Sequence, residues 1–279
     1  MVSASAFWNP AKRVFSIPEA SDLFELDFAL DSAGFTAIRG FQAKGKQAGM
    51  AGVYPWSYHQ YIETAALLRP SWWSAPDLCV EPELSAGDPG VIRERIDITA
   101  TLLEGCLRII YDWQNELAKS CNSTVVEDLI KPPVPIIQGW TTEQYLDSLE
   151  LTMQVWERWQ PWLAPPKLIG LGSVCRRTTS HPEHGLYAIL NGLDRQIPNG
   201  SKVHLFGVKG TALNEVKKLP WIASVDSMAY DYGARVRAFK EGRSNSFKHR
   251  SDEMTRWMES AATRVMGKHA NDNFHRLAA

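Results

Sequence analysis

Cysteine is scarce in this sequence. Cys79, Cys106, Cys121 and Cys175 lie far apart and none pair as Cys-x-x-Cys. That spacing encodes neither a disulfide framework nor a clustered zinc site, and independent reduced thiols are expected. The tightest histidine pair, in His181-Pro182-Glu183-His184, falls in an expected loop with no further ligands in sight, so no metal site is assigned. Long apolar runs are missing too, since no stretch approaches the roughly 18 residues of a membrane span. The start, Met1 to Pro10, has no charged segment ahead of an apolar core and does not read as a secretory signal. A soluble protein of the cytoplasm is expected, the host cytoplasm if the source is viral, without a membrane partner.

What is present suffices for one full core. The chain has 279 residues, 44% of them hydrophobic, and roughly 250 residues is the usual size of a single (β/α)8 barrel. One domain over 1–279 is the expectation. Net charge is only −1, but the charge is unevenly spread. Residues 235–279 carry ten Lys/Arg against five Asp/Glu, so this basic C-terminal segment is +5 and the rest is −6. Arg235, Arg237, Lys240, Arg243, Lys248 and Arg250 cluster there with only Glu241 among them. Such a cluster suits the phosphates of a polyanion, and it suits a solvated helix face equally well.

Short β-rich runs alternate with helical periodicity, which is clearest over 91–119, 141–159 and 252–266. That order points to a parallel sheet. Thr141-Thr142-Glu143-Gln144 has the form of a helix start, with a capping hydroxyl and an acid in the first turn. Six apolar runs end on a polar residue or glycine: at Asp31, Asp77, Gln138, Gly170, after Val203-His204-Leu205-Phe206-Gly207-Val208, and at Asp226. Strand ends of this kind are where α/β enzymes place their chemistry. A barrel needs two further strands, assigned near 14–17 and 35–41, and periodicity does not decide between a closed barrel and an open sheet. The sequence holds eleven tryptophans, with rings dense in Tyr54-Pro55-Trp56-Ser57-Tyr58-His59-Gln60-Tyr61 and at Trp72-Trp73. Singly these read as core packing; together at a site mouth they could stack on bases or hold an opened duplex.

An aspartate after a strand is by itself a common helix cap. Taken in order, however, the strand-end motifs resemble those of the tRNA-guanine transglycosylase superfamily. The resemblance is carried by Asp31-Ser32-Ala33-Gly34-Phe35, Asp77-Leu78-Cys79, Gln138-Gly139, Gly170-Leu171-Gly172, Leu205-Phe206-Gly207-Val208 and Val225-Asp226-Ser227-Met228. Gly170 to Arg177 and Ser224 to Asp231 are most similar to the deazapurine-in-DNA branch, whose transglycosylases exchange guanine in DNA for a 7-deazaguanine. The resemblance covers roughly residues 28–237. It implies a (β/α)8 TIM barrel, Asp226 as the nucleophile at C1′ and Asp31 as the acid and base that serves the departing and incoming bases. It also implies that Asp77 accepts from N1–H and the exocyclic amine of the base. Gln138 and a backbone N–H near Gly170 and Gly172 would reach its carbonyl, and Phe35 and Phe206 would sandwich the ring. The implied partners are DNA and a free 7-deazaguanine base, with no cofactor. Two converging carboxyls would push their pKa values apart.

The chain also departs from that pattern. Nothing after Cys175 can build the Cys-x-Cys-x-x-Cys zinc subdomain of the tRNA enzymes, which leaves the basic segment as the expected docking surface and favours DNA. Bacterial relatives pair an aminomethyl cation on the base with a glutamate after the glycine-rich turn, whereas Ser173, Val174, Cys175 and Arg176 stand here. A neutral 7-substituent is therefore expected, most simply the nitrile of 7-cyano-7-deazaguanine (preQ0). The competing readings are an RNA guanine transglycosylase, a non-catalytic nucleic-acid-binding subunit, and a two-carboxylate glycoside hydrolase. The last leaves Gln138-Gly139 and the glycine turn unexplained.

Overall fold

The structure is a computed structural model that describes residues 1–19 and 22–267; the basic segment beyond Gly267 lies outside the described residues. Its strands are short: β1 (Val2–Ser3), β2 (Trp8–Asn9), β3 (Val14–Phe15), β4 (Ala29–Asp31), β5 (Trp72–Trp73), β6 (Ile136–Ile137), β7 (Leu168–Leu171), β8 (Lys202–Leu205) and β9 (Ile222–Val225). The helices are α1 (Gly34–Lys44), α2 (Tyr58–Leu68), α3 (Pro82–Ser85), α4 (Pro89–Leu117), α5 (Ser123–Leu129), α6 (Thr142–Glu157), α7 (Leu186–Leu193), α8 (Leu213–Val216), α9 (Ala229–Lys240) and α10 (Phe247–Met266). Except in the β2–β3 hairpin, every paired strand runs parallel to its neighbour. The order is β1-β4-β5, then a parallel bridge from Ser74 to Val134, then β6-β7-β8-β9. From β4 onward, neighbours in space are neighbours in sequence with helices between them, while the β2–β3 hairpin separates β1 from β4, and the carboxyl ends of the parallel strands point the same way. Among the described residues, no strand pairing joins β9 back to β1.

Local chemistry sets the helix starts. Ser57 with Gln60, and Thr141 with Gln144, form reciprocal capping boxes at α2 and α6. Asp88 caps α4 through the N–H groups of Gly90 and Val91, with Pro89 in the first turn. The two largest of the four apolar clusters among the described residues pack directly on the sheets. One gathers Leu30, Ile38, Tyr54, Trp56, Tyr61, Trp73 and Leu102 around β4 and β5; the other gathers Ile137, Ile169, Leu171, Val203 and Leu205 around β6 to β8.

Two expectations are corrected, and of the two uses open to the ring-rich segment the structure shows core packing. Val14–Phe15 is a strand, but it pairs antiparallel with Trp8–Asn9 and takes no place in the parallel sheets. Residues 35–41 are helical, part of α1, because Ala37 and Ile38 recur one turn after Gly34 on a buried face. The ring-rich segment is core rather than mouth: Tyr54, Trp56 and Tyr61 are buried, and Trp8, Phe15 and Tyr54 pack on Trp56 at centroid distances of 5.1–5.6 Å around that cluster.

Removing the α6 cap tests whether local capping or tertiary packing holds that helix. Thr141→Ala is expected to lower unfolding stability by about 1 kcal/mol, measured by urea denaturation, with the cavity described next left intact.

Candidate active site

The carboxyl ends of the parallel strands surround a cavity of about 430 Å³. Asp31, Phe35, Asp77, Glu81, Gly172, Ser173, Phe206 and Asp226 all line it, together with Ser3 of β1. Residues from opposite ends of the chain therefore meet in one place.

Asp226 follows β9. Its backbone is held to the β8 end by N–H donation to Leu205 at 3.2 Å and by acceptance from Val208 at 2.9 Å. Gly207 N–H donates to Asp226 Oδ1 at 2.8 Å. Gly207 sits at φ +81°, and a Cβ there would lie 2.8 Å from Cys175 Cβ, so this donor depends on glycine. On the same oxygen converges His204, 3% exposed, whose Nε2 lies 3.5 Å away and has no hydrogen-bond partner. Its Nδ1 is 2.8 Å from Ser224 Oγ. With Ser224 donating there, the neutral ring carries its proton on Nε2, facing the carboxylate. Oδ1 is thus the oxygen that Gly207 N–H engages and that His204 faces.

Asp31 ends β4, and its Oδ2 accepts Ala33 N–H at 3.0 Å. Burial pushes its pKa from 3.8 to about 6; the Ala33 N–H opposes the rise and the Asp226 charge adds to it. A carboxyl near 6 can hold and release a proton close to neutrality.

Asp77 is buried deeper. Ser32 donates to its Oδ1 at 2.8 Å, Gln138 Nε2 donates to its Oδ2, and Tyr54 Oη bridges its own backbone N–H and C=O. Burial pushes its pKa up to about 7, with Asp31 adding to the rise and Ser32 opposing it. Ser173 Oγ lies 2.6 Å from Gln138 Oε1 and 3.2 Å from Glu81 Oε2. The loops after β6 and β7 are tied by Arg177, which is buried and donates to the carbonyls of Gly139, Trp140, Ser173 and His184.

Phe35 and Phe206 both line the cavity, as the sequence resemblance implies. Gln138 stands behind it, fully buried, and reaches the site through Asp77. Gly172 makes this possible, because a Cβ there would collide with the Gln138 amide nitrogen. Gly170 lies beneath the Phe206 ring. The expectation that a backbone N–H at these glycines reads the base carbonyl is corrected: Gly170 N–H donates to Pro135 and Gly172 N–H to Ile137, both within the sheet. In a parallel ladder those donors are already spent.

The basic cluster is less free than the sequence suggests, and Glu241 is not its only acidic neighbour. Arg235 and Arg250 pair with buried Asp231, and Arg237 pairs with buried Glu253 at 2.6 Å. Arg243 pairs with Glu241 and Lys248 with Asp252. The opposing acids lie just upstream in α9 or a turn later in α10, where a linear count misses them. Among the described residues, only Lys240 of the six has no ion-pair partner. The arginine side chains remain about half exposed, so α9 and α10 are clamped together while still presenting cations.

Three residues escaped the sequence reading: His204, Glu81 and Arg177. His204 was within sight, two residues before Phe206, which directly follows the end of β8, and the alternation along that run puts both on the same face. Glu81 had no signal in the sequence, since it lies on the chain running into the short helix α3. Among the described residues, no three His, Cys, Asp or Glu side chains are grouped to hold a metal ion, and no helix is long and apolar enough to cross a membrane.

Comparison with known proteins yields one family: a model described as DpdA, deoxypurine in DNA protein A, matches residues 11–272. No curated protein matches the chain.

The raised pKa of Asp77 has a consequence for stability. The folded protein holds this proton more tightly than the unfolded chain does. The resulting stabilisation is complete below the unfolded value of 3.8 and is lost as pH rises through about 7. Asp77→Asn cannot titrate, so it should remove this pH-dependent loss and flatten the stability profile between acid and neutral pH. Urea unfolding across that range measures it.

Proposed function

Because the chain belongs to the DpdA (deoxypurine in DNA protein A) family, we propose that it is a DNA-guanine transglycosylase, replacing guanine in DNA by a 7-deazaguanine through a glycosyl ester on Asp226. The observation that carries this reading is the convergence of Asp226 and Asp31 on one cavity, with Asp226 oriented from one oxygen and Asp31 poised near neutrality. Asp226 Oδ2 attacks C1′ as the bond from C1′ to N9 of guanine breaks, and the departing base takes the proton of Asp31. The incoming base then gives its N9 proton to the Asp31 carboxylate, attacks C1′ and releases the Asp226 carboxylate. Gly207 N–H and His204 Nε2–H stabilise the charge that returns to Asp226. No bond in the DNA backbone breaks, and neither ATP nor a metal is needed to balance the exchange.

Base recognition follows from the buried groups. Asp77 accepts from the N1–H and exocyclic amine of a guanine-like edge, Gln138 holds Asp77 in place through its amide, and Phe35 and Phe206 flank the ring. The incoming base carries a neutral 7-substituent, most simply the nitrile of 7-cyano-7-deazaguanine. A 7-deaza ring lacks the basic N7 whose protonation helps guanine depart, so the modified base accumulates. The guanine leaves the duplex stack before C1′ can be reached, at about a few kcal/mol. Lys240 and the exposed faces of Arg235, Arg237, Arg243, Lys248 and Arg250 meet the phosphates. Parallel strands in chain order, with β1 and β9 bordering one cavity, support closure into a (β/α)8 barrel. The reaction belongs to the cytoplasm.

Mass spectrometry of nucleosides from plasmid DNA incubated with the protein and 7-cyano-7-deazaguanine should reveal the deazaguanine deoxynucleoside, and Asp226→Ala should abolish it. Product in tRNA but not in DNA would move the assignment to an RNA enzyme. His204→Phe, which fills the same space beside Trp72 and Phe206, is expected to lower kcat about 10–100-fold with little change in KM for the base.

A further inference from the structure

Glu81 is a carboxyl that the proposed exchange does not use. It is 3% exposed, yet it lines the same cavity as Asp31 and Asp226. The contacts of its neighbour Ser173 restrict its state. Ser173 Oγ accepts Val80 N–H at 2.8 Å and lies 2.6 Å from Gln138 Oε1. With Gln138 Nε2 donating to Asp77 Oδ2, Oε1 must accept, and it takes the single hydroxyl proton of Ser173. No proton then remains on Ser173 for Glu81 Oε2, 3.2 Å away, so a hydrogen bond there needs the proton on Glu81. Turning the Gln138 amide over would set Oε1 against Asp77 Oδ2. That arrangement needs the proton on Asp77 and leaves Ser173 free to donate to a Glu81 carboxylate. Asp77 and Glu81 are thus the two ends of one hydrogen-bonded chain that holds one proton.

We propose that Glu81 is a positioning residue for base recognition. As a neutral acid donating to Ser173, it locks the Gln138 amide with its NH2 toward Asp77, where that donor favours the carboxylate over the acid, and so selects purine-type bases with a 6-oxo group and a ring N–H. This rests on the reading of the cavity as the site of a guanine-like base. Burial favours the neutral form of Glu81; its own backbone N–H, Ser173 and Arg177 oppose this, while Glu83 adds to it. Arg95 and Asp77 are the other charged groups that act on this acid or through its neighbours, with Cys79, Tyr145 and Cys175 also within reach of its charge. A neutral Glu81 offers no counter-charge to a cationic substituent, in keeping with a nitrile on the incoming base. It also reserves the single negative charge for Asp77, where the ring N–H and exocyclic amine require it.

The test combines infrared difference spectroscopy with calorimetric binding of free bases, using wild type, E81Q and E81A. The difference between wild type and E81Q at neutral pH should contain the carbonyl band of a protonated carboxylic acid. E81A should bind 7-cyano-7-deazaguanine about 10-fold more weakly, as expected for a lost buried hydrogen bond, and should lose discrimination against 7-cyano-7-deazaadenine. E81Q, whose amide donates to Ser173 at every pH, should restore most of both. A carboxylate band in place of the acid band would overturn the proposal. So would an E81Q protein as impaired as E81A, or a wild-type preference for the aminomethyl base that E81Q abolishes. An acid band in a protein that binds none of these bases would instead overturn the base-site reading on which the proposal depends. A missing acid band with base binding intact overturns the lock alone.

Discussion

Four carboxyl groups are brought together around one cavity, and the rest of the site follows from that constraint. Asp31, Asp77, Glu81 and Asp226 share one cavity wall, and burial is the first cause of the raised pKa of Asp31, Asp77 and Glu81. A buried carboxylate without partners is costly. The fold answers differently at each position: a backbone donor on one oxygen of Asp226 with an imidazole nearby, a single N–H at Asp31, a hydroxyl and an amide at Asp77. Environment alone thus separates groups of the same chemical type into different tasks.

Holding those donors in place demands close backbone packing. Gly207 and Gly172 stand where a methyl group would collide with Cys175 and with the Gln138 amide. Arg177 gathers four carbonyls from the loops after β6 and β7, fixing the loop that carries Ser173. The Arg–acid pairs that join α9 to α10 serve a different end, since they position the cationic face close after the strand that delivers Asp226.

Much of this was legible in the sequence, because a parallel strand followed by a helix leaves a local signature and delivers its last residue to a common edge. Asp31, Asp77, Phe206 and Asp226 were found in that way. So was the α6 cap, since Thr141 and Gln144 make a purely local motif. Two-residue strands such as β1 carry too little pattern to read, and residues 35–41 misled because their rings resemble a strand while their spacing is helical. Whether Tyr54 and Trp56 face a cavity or a core depends on packing with Trp8 and Phe15, which no local window contains. Glu81 and Arg177 matter through contacts with residues tens of positions away, and the acids that neutralise the basic cluster lie just before it in α9 or a turn after it in α10.

The account stands most directly on a covalent bond between Asp226 and the sugar. Denaturing electrophoresis of the protein incubated with labelled guanine-containing DNA, quenched before any acceptor base is added, would detect that bond. A shifted band that disappears on addition of 7-cyano-7-deazaguanine, and that Asp226→Ala never forms, is the predicted result. A protein that exchanges the base without a band, or an Asp226→Ala variant that still forms one, would contradict the account.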